Sequence, residues 1–419
     1  MSAVARALCA AAVLACIAAP SATPAQNAAT RRVVAYRSPA QLAELQRSGA
    51  RIVRRLPALH SAVIETTRPL GRKVVLRREL TVHEPALVKT YLPGVAWEWQ
   101  WDAAHMDAVP DDALRAAASV KIAVIDSGAD LGAPDVADKH PATWSVLSHS
   151  SNVNDALGHG TFVSSLAAGS VTNGVGMSGF GGDAQLLVVK AIDPDGYITD
   201  VDEAAGIVYA VKHGARIINL SIGGAESSRI ERRAIRWAAR HGVLVVAAAG
   251  NEHDQGNPVE YPAALLQPVG SRGEGGVGLA VGATSMDGSH AYFSNTGSYI
   301  SLAAPGFNVF AAESAGSDWP HAQVPWYSPG YYGWASGTSF SSPEVAGVAA
   351  LVWGANPRLT ARQVAEVLKR SASGKGWTPG LGWGTLNAGA AVALAEATQG
   401  HALRRARHEP RPIHSWPPS

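Results

Sequence analysis

A chain of 419 residues with 47% apolar and 16% charged residues is long enough for two or three folding units and buries a large core. Lys and Arg number 35 against 33 Asp and Glu, so the formal net charge is only +2. That balance excludes a strong overall field that would gather nucleic acid or coat an anionic membrane, and the apolar content excludes a disordered chain.

Residues 1–25 have the pattern of an export signal. Arg6 gives a short basic start, residues 7–19 form an apolar run, and residues 20–25 are small-residue rich. A membrane anchor is the alternative, but the run is shorter than the roughly 20 residues that a spanning helix needs. We therefore expect export, with signal removal after about residue 22 or 25, and no transmembrane segment.

The two cysteines of the chain, Cys9 and Cys16, both lie inside this signal. After signal removal the protein would contain no disulfide and no thiolate site. Residues 13–15 before Cys16 loosely resemble a bacterial lipoprotein processing site, so lipid anchoring at Cys16 is the minority alternative to ordinary cleavage.

Residues 31–66 predict a small α+β domain made of a strand, a helix and two further strands, in which Ser38 and Pro39 begin the helix. Residues 67–95 carry many charges without a clean period, which is typical of a linker or processing region. At the other end, residues 397–419 combine arginines with prolines and predict a basic, disordered tail.

Residues 96–396 alternate apolar runs with helical stretches. The runs lie at residues 120–125, 186–190, 217–222 and 243–249, and helices are expected at residues 201–213 and 228–241. Continuous apolar strands separated by helices indicate a mostly parallel central sheet covered on both faces, a three-layer α/β sandwich. In such sheets the chemistry gathers at the carboxyl ends of the strands.

Four short segments follow strand ends or open helices. They are residues 121–128 (K-I-A-V-I-D-S-G), 158–163 (G-H-G-T-F-V), 248–251 (A-A-G-N) and 337–343 (G-T-S-F-S-S-P). Taken singly, Asp126 reads as a strand-end turn residue, His159 as a loop histidine, Asn251 as a left-handed turn and Ser339 as a helix cap.

Together the four residues supply the parts of a serine hydrolase. A serine hydroxyl needs a base to take its proton, and the base needs a buried carboxylate to hold its tautomer. Ser339, His159 and Asp126 provide these groups. The Asn251 amide and the Ser339 N–H at a helix start provide two donors for an oxyanion.

These segments, in the chain order Asp, His, Asn, Ser, resemble those of the subtilisin-type serine peptidases. Residues 219–224 (N-L-S-I-G-G) and 303–306 (A-A-P-G) add to the likeness. The resemblance implies that Asp126 orients His159, that His159 acts as general base and then general acid, that Ser339 is acylated, and that Asn251 helps to form the oxyanion hole.

The resemblance also implies a zymogen. Residues 31–66 would be a propeptide that inhibits the enzyme and is cut away by the enzyme itself between about residues 82 and 99. The alternative is an unrelated small domain.

An extended substrate would pair its backbone with an exposed strand edge. The substrate-binding residues implied by the resemblance are Ser221, Ile222, Gly223, Gly224, Ala248, Ala249 and Gly250. Glu260 aligns near the base of the primary specificity pocket, where a buried carboxylate would favour Lys or Arg in the substrate. A solvated loop glutamate is the alternative.

The chain departs from the family in two places. The family commonly has a second histidine at the position of Phe162, and Met, Ala and His at the positions of Phe340, Ser341 and Glu344. None of these is a reacting group, so they affect the subfamily and the pocket shape.

Calcium is a frequent stabiliser in this family. The loop before His159 offers only Asn152, Asn154 and Asp155, so no metal site is assigned. The acidic residues between 193 and 202 do not fit a calcium hand, and Asp200 is expected to cap a helix.

The sequence thus predicts a secreted or periplasmic serine endopeptidase that acts on proteins or peptides, with its own propeptide as inhibitor. The rival from another class is a non-catalytic binding protein with the same fold. An α/β-hydrolase lipase would require a G-x-S-x-G elbow and the order Ser, acid, His, which this chain lacks.

Overall fold

The computed structural model of the chain describes residues 30–67, 76–77, 81–83, 98–317 and 331–398. The predicted signal, including Cys16, and nearly all of the predicted tail lie outside these residues. Within the described residues, no helix has the length and apolar character needed to cross a membrane.

A small N-terminal unit contains one helix and a four-stranded antiparallel sheet of order β2-β3-β1-β4. Leu42 and Leu45 of the helix pack on Val34 and Ile64 of the sheet. Its elements are β1 (Thr30–Ala35), α1 (Pro39–Arg47), β2 (Arg51–Leu56), β3 (Ser61–Thr66) and β4 (Leu76–Arg77).

The segment expected to be a plain linker contains β4 and one further short strand, β5 (Thr81–His83). β5 pairs in antiparallel fashion with β9 (Tyr197–Thr199), far along the chain.

The main unit holds the other elements. They are α2 (Trp99–Ala103), α3 (Asp111–Ala116), β6 (Lys121–Asp126), α4 (Pro134–Ala137), β7 (Ala142–Ser145), α5 (His159–Ala168), β8 (Gln185–Lys190), α6 (Asp200–Lys212), β10 (Ile217–Leu220), α7 (Arg229–Arg240), β11 (Leu244–Ala248), α8 (Ala263–Leu266), β12 (Gly278–Thr284), β13 (Leu302–Pro305), β14 (Val309–Ala312), β15 (Tyr332–Ala335), α9 (Thr338–Ala355), α10 (Ala361–Ser371) and α11 (Ala388–Ala397).

Seven strands of the main unit form one parallel sheet of order β13-β12-β11-β10-β6-β8-β7. Helices α5, α9, α10 and α11 cover one face, and α6, α7 and α8 cover the other. Along β6, Ile122 and Val124 join the first core while Ala123 and Ile125 join the second. Because both faces are buried, the strand is apolar from Ile122 to Ile125, and the predicted three-layer α/β sandwich is confirmed.

One local expectation is wrong. α6 begins with Asp200, but the residue that caps it is Thr199, whose Oγ1 accepts the N–H of Asp202 at 3.1 Å. Thr199 adopts the extended backbone conformation of an N-cap residue, so Asp200 is the first residue of the helix. The Asp200 side chain is buried.

Candidate active site

The four candidate catalytic residues meet at the carboxyl edge of the parallel sheet. Asp126 is the last residue of β6, and Asn251 follows the end of β11 by three positions. His159 opens α5, and Ser339 is the second residue of α9. The edge is where the ends of parallel strands and the starts of the following helices face the same space.

His159 and Asp126 form a buried hydrogen-bonded pair. Nδ1 of the imidazole lies 2.8 Å from Oδ1 of the carboxylate, and neither side chain is exposed. The same Oδ1 accepts the backbone N–H of Ser127 at 2.7 Å. A carboxylate held in this way keeps the proton of the imidazole on Nδ1 and leaves Nε2 as the basic nitrogen.

The start of α5 depends on Asp155, a residue that the sequence analysis considered only as a weak calcium ligand. Its Oδ2 accepts the N–H and the hydroxyl of Thr161 at 2.8 and 2.6 Å, and its Oδ1 accepts the N–H of Gly158 at 3.0 Å. Asp155 therefore caps the helix that presents His159. Its position four residues before the histidine was the available signal.

Ser127 links this cap to the Asp126 strand. Its hydroxyl donates to Asp155 Oδ1 at 2.8 Å and accepts the N–H of Gly160 at 2.8 Å. A side chain on Gly160 would collide with the backbone of Gly128, so a glycine is needed beside the histidine. The strand end and the helix start are thereby fixed relative to each other.

Ser339 lies in the first turn of α9 and is fully buried. Its carbonyl accepts the Ser221 hydroxyl at 2.6 Å. The next residue, Phe340, packs on the His159 ring with centroids 5.7 Å apart. Within the described parts of the chain, the Ser339 hydroxyl has no hydrogen-bond partner.

The two phenylalanines that depart from the family pattern pack on each other. The rings of Phe162 and Phe340 lie 4.5 Å apart, and both side chains are fully buried. The two changes therefore occur as one packing unit, next to the imidazole but outside the reacting groups.

Asn251 is anchored by its oxygen. Oδ1 accepts both the N–H and the hydroxyl of Thr338, at 2.8 and 2.9 Å, and the Thr338 hydroxyl accepts the Gly250 N–H at 3.1 Å. The amide nitrogen is 3.2 Å from the point where a Cβ on Gly337 would lie. The donor end of the side chain is thus held beside the turn that carries Ser339.

Glu260 is buried, with only 6% of its surface exposed, so the alternative of a solvated loop glutamate is wrong. A Cβ on Gly223 would lie 2.7 Å from its Oε2, and a Cβ on Gly250 would lie 2.5 Å from its Cγ. Burial, with a smaller contribution from the charge of Glu252, raises the pKa of Glu260 to about 7. The two glycines make room for this carboxyl group between the two segments assigned to the substrate.

In the full-length chain, the edge at residues 221–224 that the sequence predicts to bind substrate is covered. Ser221, Ile222 and Gly223 are buried, and Gly224 exchanges two backbone hydrogen bonds with Tyr261 at 3.0 and 2.9 Å. Ala248, Ala249 and Gly250 are buried as well.

No group of three or more His, Cys, Asp or Glu side chains suited to a metal ion occurs among the described residues. Two buried acids, Asp135 and Glu98, interact with each other near residues 170–178. Burial raises the pKa of Glu98 to about 7 and that of Asp135 to about 6, and the Asp135 charge contributes at Glu98. Asp135 also accepts hydrogen bonds from Asn173 and Tyr332 at 2.9 and 2.8 Å.

A buried acid–imidazole pair beside a serine at a helix start, on the carboxyl edge of a parallel sheet, defines the geometry of a serine hydrolase site. Comparison with known proteins gives the family. Residues 117–384 match the subtilase family, peptidase S8. The chain therefore belongs to the subtilases and is a serine endopeptidase of that family.

The relatives agree. The chain is 33% identical to thermitase from Thermoactinomyces vulgaris over 233 residues, which is 55% of this chain and 74% of the relative. It is 32% identical to M-protease from Shouchella clausii over 314 residues, which is 74% of this chain and 73% of the relative.

A solved structure shares the fold. Fervidolysin from Fervidobacterium pennivorans, a keratinolytic enzyme related to subtilisin, superposes with a TM-score of 0.69 at 24% identity. The match covers 88% of this chain and 61% of fervidolysin.

Proposed function

We propose that this chain is an exported serine endopeptidase that hydrolyses peptide bonds through Ser339, His159 and Asp126. The observation that carries the proposal is the buried 2.8 Å contact between Asp126 and His159, with the first turn of α9 packed against the same imidazole.

The reaction follows from these positions. His159 Nε2 takes the proton of the Ser339 hydroxyl as the oxygen attacks the substrate carbonyl, while Asp126 holds the imidazolium through Nδ1. His159 then gives the proton to the leaving amine, and an acyl-enzyme forms on Ser339. Water then attacks the acyl-enzyme while His159 takes its proton. His159 returns that proton to the Ser339 oxygen as the carboxylic acid product leaves. The Asn251 amide and the Ser339 N–H bind the oxyanion of each tetrahedral intermediate.

The substrate would lie along residues 221–224 and 248–250, with Glu260 at the end of the pocket for the residue before the scissile bond. The burial of the Glu260 carboxyl group between Gly223 and Gly250 supports a pocket that selects Lys or Arg.

The contacts of the N-terminal unit support its role as a propeptide. Leu56, Leu59 and Val63 join the core formed by α6 and α7. Arg54 forms an ion pair with Asp202 of α6, and Arg233 of α7 donates to Ser61 Oγ at 3.0 Å. β5 then leads the chain along β9, beside the proposed cleft. The predicted cut between about residues 82 and 99 would fall at the end of β5 or after it in the chain.

The proposal that the protein is exported rests on the pattern of residues 1–25. Export is consistent with a peptidase that is made as an inactive precursor. Ordinary signal cleavage is proposed in preference to lipid attachment at Cys16.

Asp135 and Glu98 do not fit a structural calcium ion. The two oxygens of Asp135 accept hydrogen bonds from Asn173 and Tyr332, and Glu98 Oε1 accepts the N–H of Ser178. Calcium takes about six to eight oxygen ligands, so no step or site in the proposed function uses it.

The proposed function is tested on the processed enzyme with a serine-directed fluorophosphonate and peptide mapping. Label is expected on Ser339, together with turnover of a protein substrate, and both are expected to disappear in Ser339→Ala. A properly processed wild type with neither label nor turnover would favour the rival, a non-catalytic binding protein with this fold.

A further inference from the structure

A second segment of the chain holds the loop that follows Asn251, the residue assigned to the oxyanion hole. The loop comprises residues 252–258, and the second segment, residues 293–296, follows β12 in the chain. We call residues 293–296 the clamp segment. Its Asn295 donates the backbone N–H to the carbonyl of Gly250 at 2.9 Å, directly before Asn251.

The side chain of Asn295 is completely buried and makes three hydrogen bonds with this loop. Its Oδ1 accepts the N–H of Glu252 at 2.9 Å. Its Nδ2 donates to Glu252 Oε2 and to the Pro258 carbonyl, both at 3.2 Å. A primary amide has two N–H groups and one oxygen, so Asn295 directs all of its polar groups at one loop.

Glu252 connects this contact to Asn251. The carboxylate oxygen that accepts from Asn295, Oε2, also accepts the backbone N–H of Asn251 at 2.8 Å. Glu252 thus fixes the Asn251 backbone, while Thr338 holds the Asn251 side-chain oxygen. Because the backbone conformation restricts the side-chain rotamers, fixing both points restricts where the amide nitrogen of Asn251 lies.

Gly250 allows Asn295 to approach this closely. Its φ is +101°, and a Cβ there would lie 2.3 Å from Asn295 Nδ2 and 2.9 Å from Glu252 Oε2. A larger residue would push both groups away from the end of β11. The glycine, the amide and the carboxylate therefore form one packed unit beside the oxyanion residue.

The clamp segment is itself tied to the sheet. The Ser294 hydroxyl accepts the N–H of Ala283 in β12 at 3.0 Å, and the side chain of Phe293 is buried. β12 pairs with β11, the strand that leads to Asn251. Asn295 therefore holds the loop against the rigid part of the molecule and not against another loop.

We propose that Asn295 is a positioning residue of the oxyanion hole, which acts through Glu252 to hold Asn251 where its amide meets the developing oxyanion. The proposal rests on the proposed peptidase function and extends it. A preorganised donor must lie in place before charge develops. A misplacement of about 1 Å at such a site costs about 10²-fold in rate.

The test compares the effect of Asn295→Asp in the wild type and in Asn251→Asp. The change keeps the oxygen that accepts from Glu252 and removes both amide donors. In the wild type we expect kcat for a peptide with Phe before the scissile bond to fall about 10–10²-fold, with KM nearly unchanged. In Asn251→Asp the oxyanion donor is already lost, so the further fall should be less than about threefold.

Asn257→Gly is the matched control. The Asn257 side chain joins the same loop to Thr296 of the clamp segment at 3.0 and 2.8 Å, and its φ of +50° suits glycine. The change loosens the loop without removing a contact of the Glu252 carboxylate. We expect kcat to stay within about twofold of the wild-type value even if the melting temperature falls.

All variants are measured as processed enzymes. Variants that process slowly are matured with a trace of tagged wild-type enzyme, which is then removed, and Ser339→Ala treated in the same way gives the background rate. If Asn295→Asp does not fold, Asn295→Ser replaces it, because it also removes the amide donors.

An unchanged kcat in the wild-type background would overturn the positioning role. So would an equal loss in both backgrounds, because Asn295 would then act independently of Asn251. A loss of the same size in Asn257→Gly would assign the effect to the general rigidity of the loop and would also overturn the role. Absence of both turnover and fluorophosphonate label in the wild type would instead contradict the proposed function.

Discussion

At the scale of single residues, the candidate site consists of side chains whose two ends have different tasks. Asn251 uses its oxygen to hold Thr338 at the start of α9, and its amide nitrogen is the end that we propose to meet an oxyanion. This division means that the anchoring role and the proposed catalytic role are separable by mutation.

Asn251→Asp keeps the oxygen that Thr338 needs and replaces the donor by a second acceptor. We expect kcat to fall about 10²–10³-fold with little change in KM, the range that loss of such a donor causes in subtilisin. Steady-state kinetics with active-site titration measures this. A rise in KM with an unchanged kcat would assign Asn251 a structural role instead. So would a fall in melting temperature large enough to account for the loss of activity.

If Glu260 forms the proposed specificity pocket, the preference of that pocket should depend on pH. Its pKa of about 7 means that the group is neutral below that pH and ionised above it. The ratio of kcat/KM for Lys-ended over Phe-ended peptides should therefore rise as the pH increases through 7. In Glu260→Gln the ratio should be low at every pH. A rising ratio in this variant would exclude Glu260 as its source.

At the scale of elements, two helices do more than cover the sheet. α6 and α7 lie side by side, and the N-terminal unit docks on them through apolar contacts and through Arg54 and Arg233. The ion pair of Arg54 with Asp202 is mostly buried, so its loss leaves an uncompensated charge at the interface.

Arg54→Ala in the full chain should weaken the hold of the N-terminal unit on the mature enzyme, because Asp202 loses its partner. We expect the lag before activity appears after processing to shorten, with about tenfold weaker inhibition. Arg51→Ala is the matched control, since Arg51 pairs with Glu65 within the unit and is exposed. Equal lags for all three proteins would argue against a propeptide role.

The strands were predictable, and so were the positions of the candidate triad residues at the sheet edge, because the signals for both are local. A strand buried on both faces is an apolar run, as β6 is, and the residue after such a run lies at the functional edge. Asp155 also has a local signal, because it lies shortly before the helix whose Thr161 N–H it accepts. The sequence analysis considered Asp155 only as a possible calcium ligand and so did not identify this role.

Other features depend on contacts between distant segments. The pairing of β5 with β9 joins Thr81 to Thr199, and no pattern within either segment specifies its partner. Likewise, Glu203 and Glu231 belong to different helices and are ordinary helix residues until the fold brings them together. The pairing of Gly224 with Tyr261 is another such contact, and the length of the loop before Tyr261 could not be aligned from the sequence.

At the scale of the whole molecule, the main unit contains several buried acids that are not members of the candidate triad. Glu344 lies within α9 with both carboxyl oxygens buried and without hydrogen-bond partners in the described part of the chain. Burial raises its pKa well above the usual range. Glu313 is also fully buried, and burial raises its pKa to about 8.

These groups set the direction of the pH dependence of stability. A Glu313 carboxyl group with an ordinary pKa of 4.5 in the unfolded chain and about 8 in the folded chain holds its proton longer when folded. Between these two values the folded state binds more protons, so the free energy of unfolding decreases as the pH rises, by ~1.4 kcal/mol per pH unit for each such group.

Glu313→Gln removes one of these titrating groups while keeping its shape. We expect the inactive Ser339→Ala protein to lose stability between pH 5 and 8, and we expect a smaller slope when Glu313→Gln is added, with the two proteins most alike at the acidic end. Urea unfolding at a series of pH values measures the slope. An identical slope in both proteins would mean that Glu313 ionises at its ordinary pKa in the folded chain. A slope of the opposite sign in the Ser339→Ala protein would mean that buried acids are ionised and paired throughout the molecule.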